Sequence, residues 1–185
     1  MNTLSTTVNA RGSVLMNVLL VIGATAVIAL AAQIAVPVPF TPVPLTLQPL
    51  AVLLVGAVLG SVRGAAAATL YLLEGMSGLP VFSQGHGGAL WLLGPTAGYL
   101  WSYPAAAFIA GWLAEHRGTA SIPRSIASML FGLAVIYAGG WSWLAVMSGP
   151  RAAFAMGVAP FIVADAVKIA IGATLLPYAQ RVLGR

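Results

Sequence analysis

Cysteine is missing from the 185 residues, which excludes disulfides and thiolate-bound metal. Charge is scarce as well. Asp, Glu, Lys and Arg make up 6% of the chain, against roughly a quarter in soluble domains. Hydrophobic residues reach 60% and the mean hydropathy is +0.98, so the chain cannot clothe a soluble surface and is read as an integral membrane protein. Lysine occurs once, as Lys168, and no G-x-x-x-x-G-K-[ST] phosphate loop is present, which excludes an ATPase of that type. There is no G-x-S-x-G and no H-E-x-x-H. The acids number 3 and the histidines 2, widely separated, so no catalytic constellation forms and an enzyme is not expected. No metal site and no cofactor are expected either. The net charge of +5 comes from arginines scattered singly between apolar runs. That pattern sets membrane topology and excludes a nucleic-acid patch.

What is present is a series of apolar runs. A spanning helix needs about 20 such residues, and runs 15–35, 95–114, 125–147 and 152–179 each predict one. The first exceeds a signal-peptide core and leads into proline rather than an A-x-A site, so a retained helix is expected. Run 47–73 is cut by Arg63 and reads as one long helix or as a hairpin of two short ones. Lys and Arg of short loops stay cytoplasmic. With the hairpin, Arg11, Arg63, Arg117, Arg124, Arg181 and Arg185 all lie inside, and only Arg151 falls outside. With a single helix, Arg181 and Arg185 move outside, and 75–94 lies inside without one Lys or Arg. The hairpin is therefore expected, turning at "GSVRGA" (60–65). The expected fold is an all-α membrane protein of six transmembrane helices, with cytoplasmic N- and C-termini. It forms one integral membrane domain over 1–185, with a flexible N-terminus over about 1–13.

This topology puts 36–46, 75–94 and 148–151 on the outer side. The first continues into "VPVPFTPVPLTLQ" (36–48), whose prolines at 37, 39, 42 and 44 predict a stiff extended segment. The second contains "LPVFSQGHGG" (79–88). Irregular backbone at membrane depth is tolerated where it is buried in protein or lines a cavity. A ligand pocket near the outer face, under a lid, is expected.

Ionisable residues inside spans are expensive and usually functional. Asp165 and Lys168, near the middle of the last expected helix, share a face at i,i+3. They read as a ligand site, as a mutual ion pair filling a polar gap, or as a proton relay. As a site they suit a neutral polar group that both donates and accepts. Gln84 adds a second donor and acceptor, and glycines such as Gly85 and Gly87 let backbone approach a ligand. Trp91, Tyr99, Trp101 and Tyr103 are candidates to stack on a ring. An interfacial aromatic belt is the expectation for Trp101, Trp141 and Trp143. His86 is expected to be a loop residue without a special role. Glu74, Glu115 and His116 are expected to be solvated.

The runs "PVPFTPVPLTLQ", "LPVFSQGHGG", "GPTAGYLWSYPAAA" and "DAVK", in that order and spacing, resemble the BioY family, over about residues 15–178. These are the biotin-binding S components of energy-coupling-factor (ECF) vitamin transporters. The resemblance implies a multi-pass protein of a prokaryotic plasma membrane that takes biotin from outside. Its site would include Asp165, Lys168 and Gln84 at the ureido ring, and Phe40, Trp91 and Tyr99 against the apolar rings and chain. Implied partners are a transmembrane coupling protein and two ATPases, besides the lipid bilayer. Family members dock through A-x-x-x-A on the first helix. Here Ala31 and Ala35 carry that spacing near the outer end, and Gly23, Ala24 and Thr25 cluster further in. The alternative is an autonomous proton-coupled carrier for a small polar ring compound, with Asp165 and Lys168 as relay.

Overall fold

The computed structural model describes residues 3–117 and 121–182, with side chains for 14–116 and 121–179. Apolar runs without β-branched alternation fold as helices that satisfy their own backbone. They give α1 (Thr3–Gln33), α2 (Gln48–Leu59), α3 (Ser61–Met76), α4 (Ala97–Arg117), α5 (Ile122–Ser148), α6 (Pro150–Gly157) and α7 (Ile162–Val182). The stretch expected to be flexible over about 1–13 is continuous with α1 from Thr3 onward. α4 is central and packs on α2, α3 and α5.

By length and composition, three helices among the described residues are fit to cross a membrane, over Val14–Gln33, Ile122–Ser148 and Ile162–Ala179. α4 is as long as α7 (21 residues each) but is diluted by Tyr, Trp, Ser, Pro and Gly. The hairpin is present. α2 ends and α3 begins at Gly60, whose φ of 91° favours glycine. The two helices then close together: a Cβ on Gly64 would lie 2.5 Å from the Gly56 Cα. At about 1.5 Å per residue, the 12 residues of α2 reach only about 18 Å.

Two expectations are corrected. Run 152–179 is not one helix. α6 stops at Gly157, residues 158–161 form a turn, and α7 starts at Ile162. Pro160 lies in that turn, where it lacks the N–H a continuing helix would need. Asp165 therefore sits in the first turn of α7, not near the middle of a span. Nor is 36–46 a single extended segment. It doubles back, and Ala35 pairs with Thr46 and Val36 with Leu45 in a short antiparallel ladder, β1 (Ala35–Val36) with β2 (Leu45–Thr46).

Of the side chains expected in solvent, Glu115 and His116 are exposed and Glu74 is not, and all three make contacts. Glu115 of α4 accepts from the Ser61 N–H (3.0 Å) and hydroxyl (2.7 Å), capping α3. Glu74 is half-buried and accepts from Thr25 of α1 at 3.0 Å. His116 lies over Trp112, ring centres 4.7 Å apart. The tryptophans expected in a belt tie neighbouring segments together. The indole N–H of Trp101 donates to Leu92 O, that of Trp143 to Gly94 O and that of Trp141 to Pro150 O.

Candidate functional site

A cavity with an empty volume of about 580 Å³, counted out to its open mouth, lies among α2, α4, α5, α7 and both irregular loops. The first loop contributes 43–46 and the second Phe82, Ser83 and Trp91. The two unusual stretches therefore meet over one opening.

The polar end is built by α7. Asp165 and Lys168 are 4% and 9% exposed, and their side chains meet at 2.7 Å. A lone buried charge costs several kcal/mol, so the pairing is what lets both stay inside. The Lys168 ammonium also donates to the Thr46 carbonyl at 2.7 Å, linking α7 to the first loop. Tyr137 of α5 donates to the other carboxylate oxygen at 2.5 Å. Lysine has three donors, and these contacts use two. Gln48 lines the same end, its amide N–H donating to Tyr71 Oη at 2.8 Å while Tyr71 donates to Val81 O at 3.0 Å. Among the described residues the Gln48 Oε1 carries no hydrogen bond. No fully buried side-chain N or O lacks a partner among them.

The rest of the wall is mostly apolar and aromatic, with Ser83 and Thr96 among it. Phe82 is fully buried, edge-on to Tyr71 at 5.6 Å and packed against Gly75. Tyr99 reaches its place because α5 and α6 present glycine there. A Cβ on Gly140 would meet its ring at 2.1 Å, and one on Gly157 its hydroxyl at 2.2 Å. The Tyr99 hydroxyl donates to Gly157 O at 2.8 Å. The first loop is fastened beside it, Thr41 Oγ1 donating to Met156 O at 2.7 Å.

Of the residues singled out in the sequence, Asp165, Lys168, Trp91, Tyr99 and Tyr103 line the cavity. Gln84, Gly85, Gly87 and Phe40 do not. Gln84 is exposed with a left-handed backbone (φ 60°). Gly85 donates its N–H to Gln33 Oε1 at 2.9 Å. Gly87 is pressed on the Leu79 carbonyl, which a Cβ would meet at 2.3 Å. Phe40 is 64% exposed. His86, expected to be idle, stacks on Trp91 with ring centres 3.9 Å apart and planes 13° from parallel. Sequence reasoning missed Gln48, Tyr137, Phe82 and Phe161. Two had a readable signal. Gln48 is the polar residue opening an apolar run, and Tyr137 is a hydroxyl inside a span, just before two residues of close packing, Gly139 and Gly140.

A helix bundle with apolar helices long enough to cross a membrane, and a largely apolar cavity lined by a buried ion pair, defines the class of membrane protein with an internal pocket. Comparison with known proteins narrows that class. The chain belongs to the BioY family, whose family model matches residues 2–185. It is 46% identical over 143 residues to the probable biotin transporter BioY of Pyrococcus horikoshii, covering 77% of this chain and 82% of that one. It is 40% identical over 152 residues to the biotin transporter BioY of Thermotoga maritima, covering 82% and 88%. A solved structure described as the S-component for biotin from an ECF-type ABC transporter matches with a TM-score of 0.82 at 25% identity, over 94% of each chain.

Proposed function

We propose that this chain captures biotin as the substrate-binding S component of an ECF-type vitamin transporter, and that it is not an enzyme. The observation that carries the reading is the Asp165–Lys168 pair, buried at one end of an otherwise apolar cavity in a chain of the BioY family. Biotin has a ureido group with two N–H donors and one carbonyl, attached to an apolar ring and chain. The carboxylate of Asp165 accepts from the ureido N–H, and the ammonium of Lys168, with a donor to spare, gives to its carbonyl. Charge-assisted bonds of this kind are the strong ones. Gln48 Oε1 offers a further acceptor. Trp91, Tyr99 and Phe82 pack on the apolar part. Gln84, Gly85 and Gly87, with Phe40 at the tip of the first loop, form the cover over the opening.

In this reading α1–α5 and α7 make six spans of a prokaryotic plasma membrane, α6 lies at the cavity mouth, both termini are cytoplasmic and the mouth faces outward. The arginine distribution supports that orientation. A transmembrane coupling protein and two ATPases supply the energy that a chain without a phosphate loop does not.

The test is binding of radiolabelled biotin to the purified protein in detergent, beside Asp165→Asn and Lys168→Met. Nanomolar binding that weakens more than about tenfold in both variants (about 1.4 kcal/mol) supports the reading. Absence of binding by folded wild-type protein sinks it and turns attention to a proton-coupled carrier.

A further inference from the structure

One turn beside the cavity has a conformation that needs outside support, and in the capture reading it belongs to the cover. In residues 83–85, Gln84 (φ 60°, ψ 29°) and Gly85 (φ 73°) are left-handed in succession. Gln84 is the one non-glycine residue with positive φ among the described residues. Such a backbone is sparsely populated and persists where its surroundings over-determine it. The support comes from the last residue of α1. The Gln33 amide donates to Phe82 O at 3.1 Å and accepts from the Gly85 N–H at 2.9 Å, bridging the turn from both sides. Its other amide hydrogen goes to Ala29 O of its own helix at 3.1 Å, which aims the side chain. Val81 O lies further off at 3.4 Å.

We propose that Gln33 is the positioning residue of the cavity cover. It touches no ligand. It fixes the turn whose flanks carry cavity residues: Phe82 and Ser83 enter it, and His86 leaves it to stack on Trp91. The amide suits the task because it presents one donor and one acceptor side by side, as a backbone strand would. Ligand release requires this cover to lift, so Gln33 sets the release rate and ties it to the placement of α1. The inference rests on the capture reading of the same cavity.

The test uses the full chain with Gln33→Ala and Gln33→Glu. The glutamate keeps the acceptor for Gly85 but has no donor for Phe82 O, so it behaves like alanine. Two quantities are measured: the dissociation rate of labelled biotin, and hydrogen exchange of the 80–94 segment without ligand. Expected are release at least about tenfold faster, the size of one lost hydrogen bond in the glutamate variant and two in the alanine variant, with association changed less than about threefold. Exchange of 80–94 accelerates while α4 and α5 keep wild-type protection. A merely structural role predicts faster exchange throughout the helices, and that result overturns the proposal. Unchanged exchange of 80–94 overturns it as well, as does faster exchange with unaltered release. If wild-type protein binds no biotin, the capture reading falls on that result alone, and the exchange of 80–94 still decides whether Gln33 holds the turn.

Discussion

Tyr137 of α5 gives its hydroxyl proton to Asp165 of α7 at 2.5 Å, on the carboxylate oxygen that Lys168 leaves free. The carboxylate, which lines the cavity, is thereby oriented by two helices. Tyr137→Phe keeps the ring and removes this bond alone. Biotin affinity should fall about tenfold, in keeping with a hydrogen bond to a charged group. Equilibrium binding in detergent measures it, and unchanged affinity removes Tyr137 from the site.

The ion pair predicts a non-additive stability cycle without any ligand. Asp165→Asn or Lys168→Met leaves one buried charge unpaired, a loss of roughly 3–5 kcal/mol. The double variant has no charge to strand and should recover part of that loss. Unfolding midpoints of the four proteins in one detergent give the coupling. Strict additivity would mean that the two side chains do not support each other.

Tyr99 and Gly157 predict a compensation. Gly157→Ala drives a methyl into the Tyr99 hydroxyl, 2.2 Å away. Overpacking of this kind costs roughly 1–3 kcal/mol. Adding Tyr99→Phe removes the obstructing atom, so the double variant should melt higher than Gly157→Ala. If it melts lower, the clash is not with that hydroxyl.

The cover predicts a contrast among loop residues. Gln84→Gly keeps the left-handed backbone at less strain, and Phe40→Ala trims an exposed ring. Both should bind biotin within about threefold of wild type. Trp91→Ala removes a wall of the cavity and should weaken binding more than about tenfold, as loss of a buried aromatic does. A large loss in Gln84→Gly would place that side chain on the ligand.

How much of this was legible in the sequence differs from residue to residue. Asp165 and Lys168 stand out because charge inside an apolar run has few explanations. The α2–α3 hairpin follows from weighing the arginines of all the loops together, with glycines at 60 and 64 to make the turn. The break before α7 is nearly invisible, since residues 158–161 are apolar and only Pro160 marks the change of direction. Gln84 lies outside the cavity lining for a definite reason. Its side-chain direction depends on a left-handed backbone that an amide from residue 33 stabilises, and no local pattern encodes so distant a partner. The same holds for Glu115 on Ser61 and Glu74 on Thr25, contacts spanning 54 and 49 residues. Local composition reads burial and period well; it does not read which far segment arrives to complete a hydrogen bond.

The bond from the Lys168 ammonium to the Thr46 carbonyl carries a thermodynamic consequence. It joins the charge pair of α7 to the first loop, so a ligand held by that pair stabilises loop and helix as one unit by mass action. The increment grows logarithmically with concentration, about 2.7 kcal/mol at one hundred times Kd.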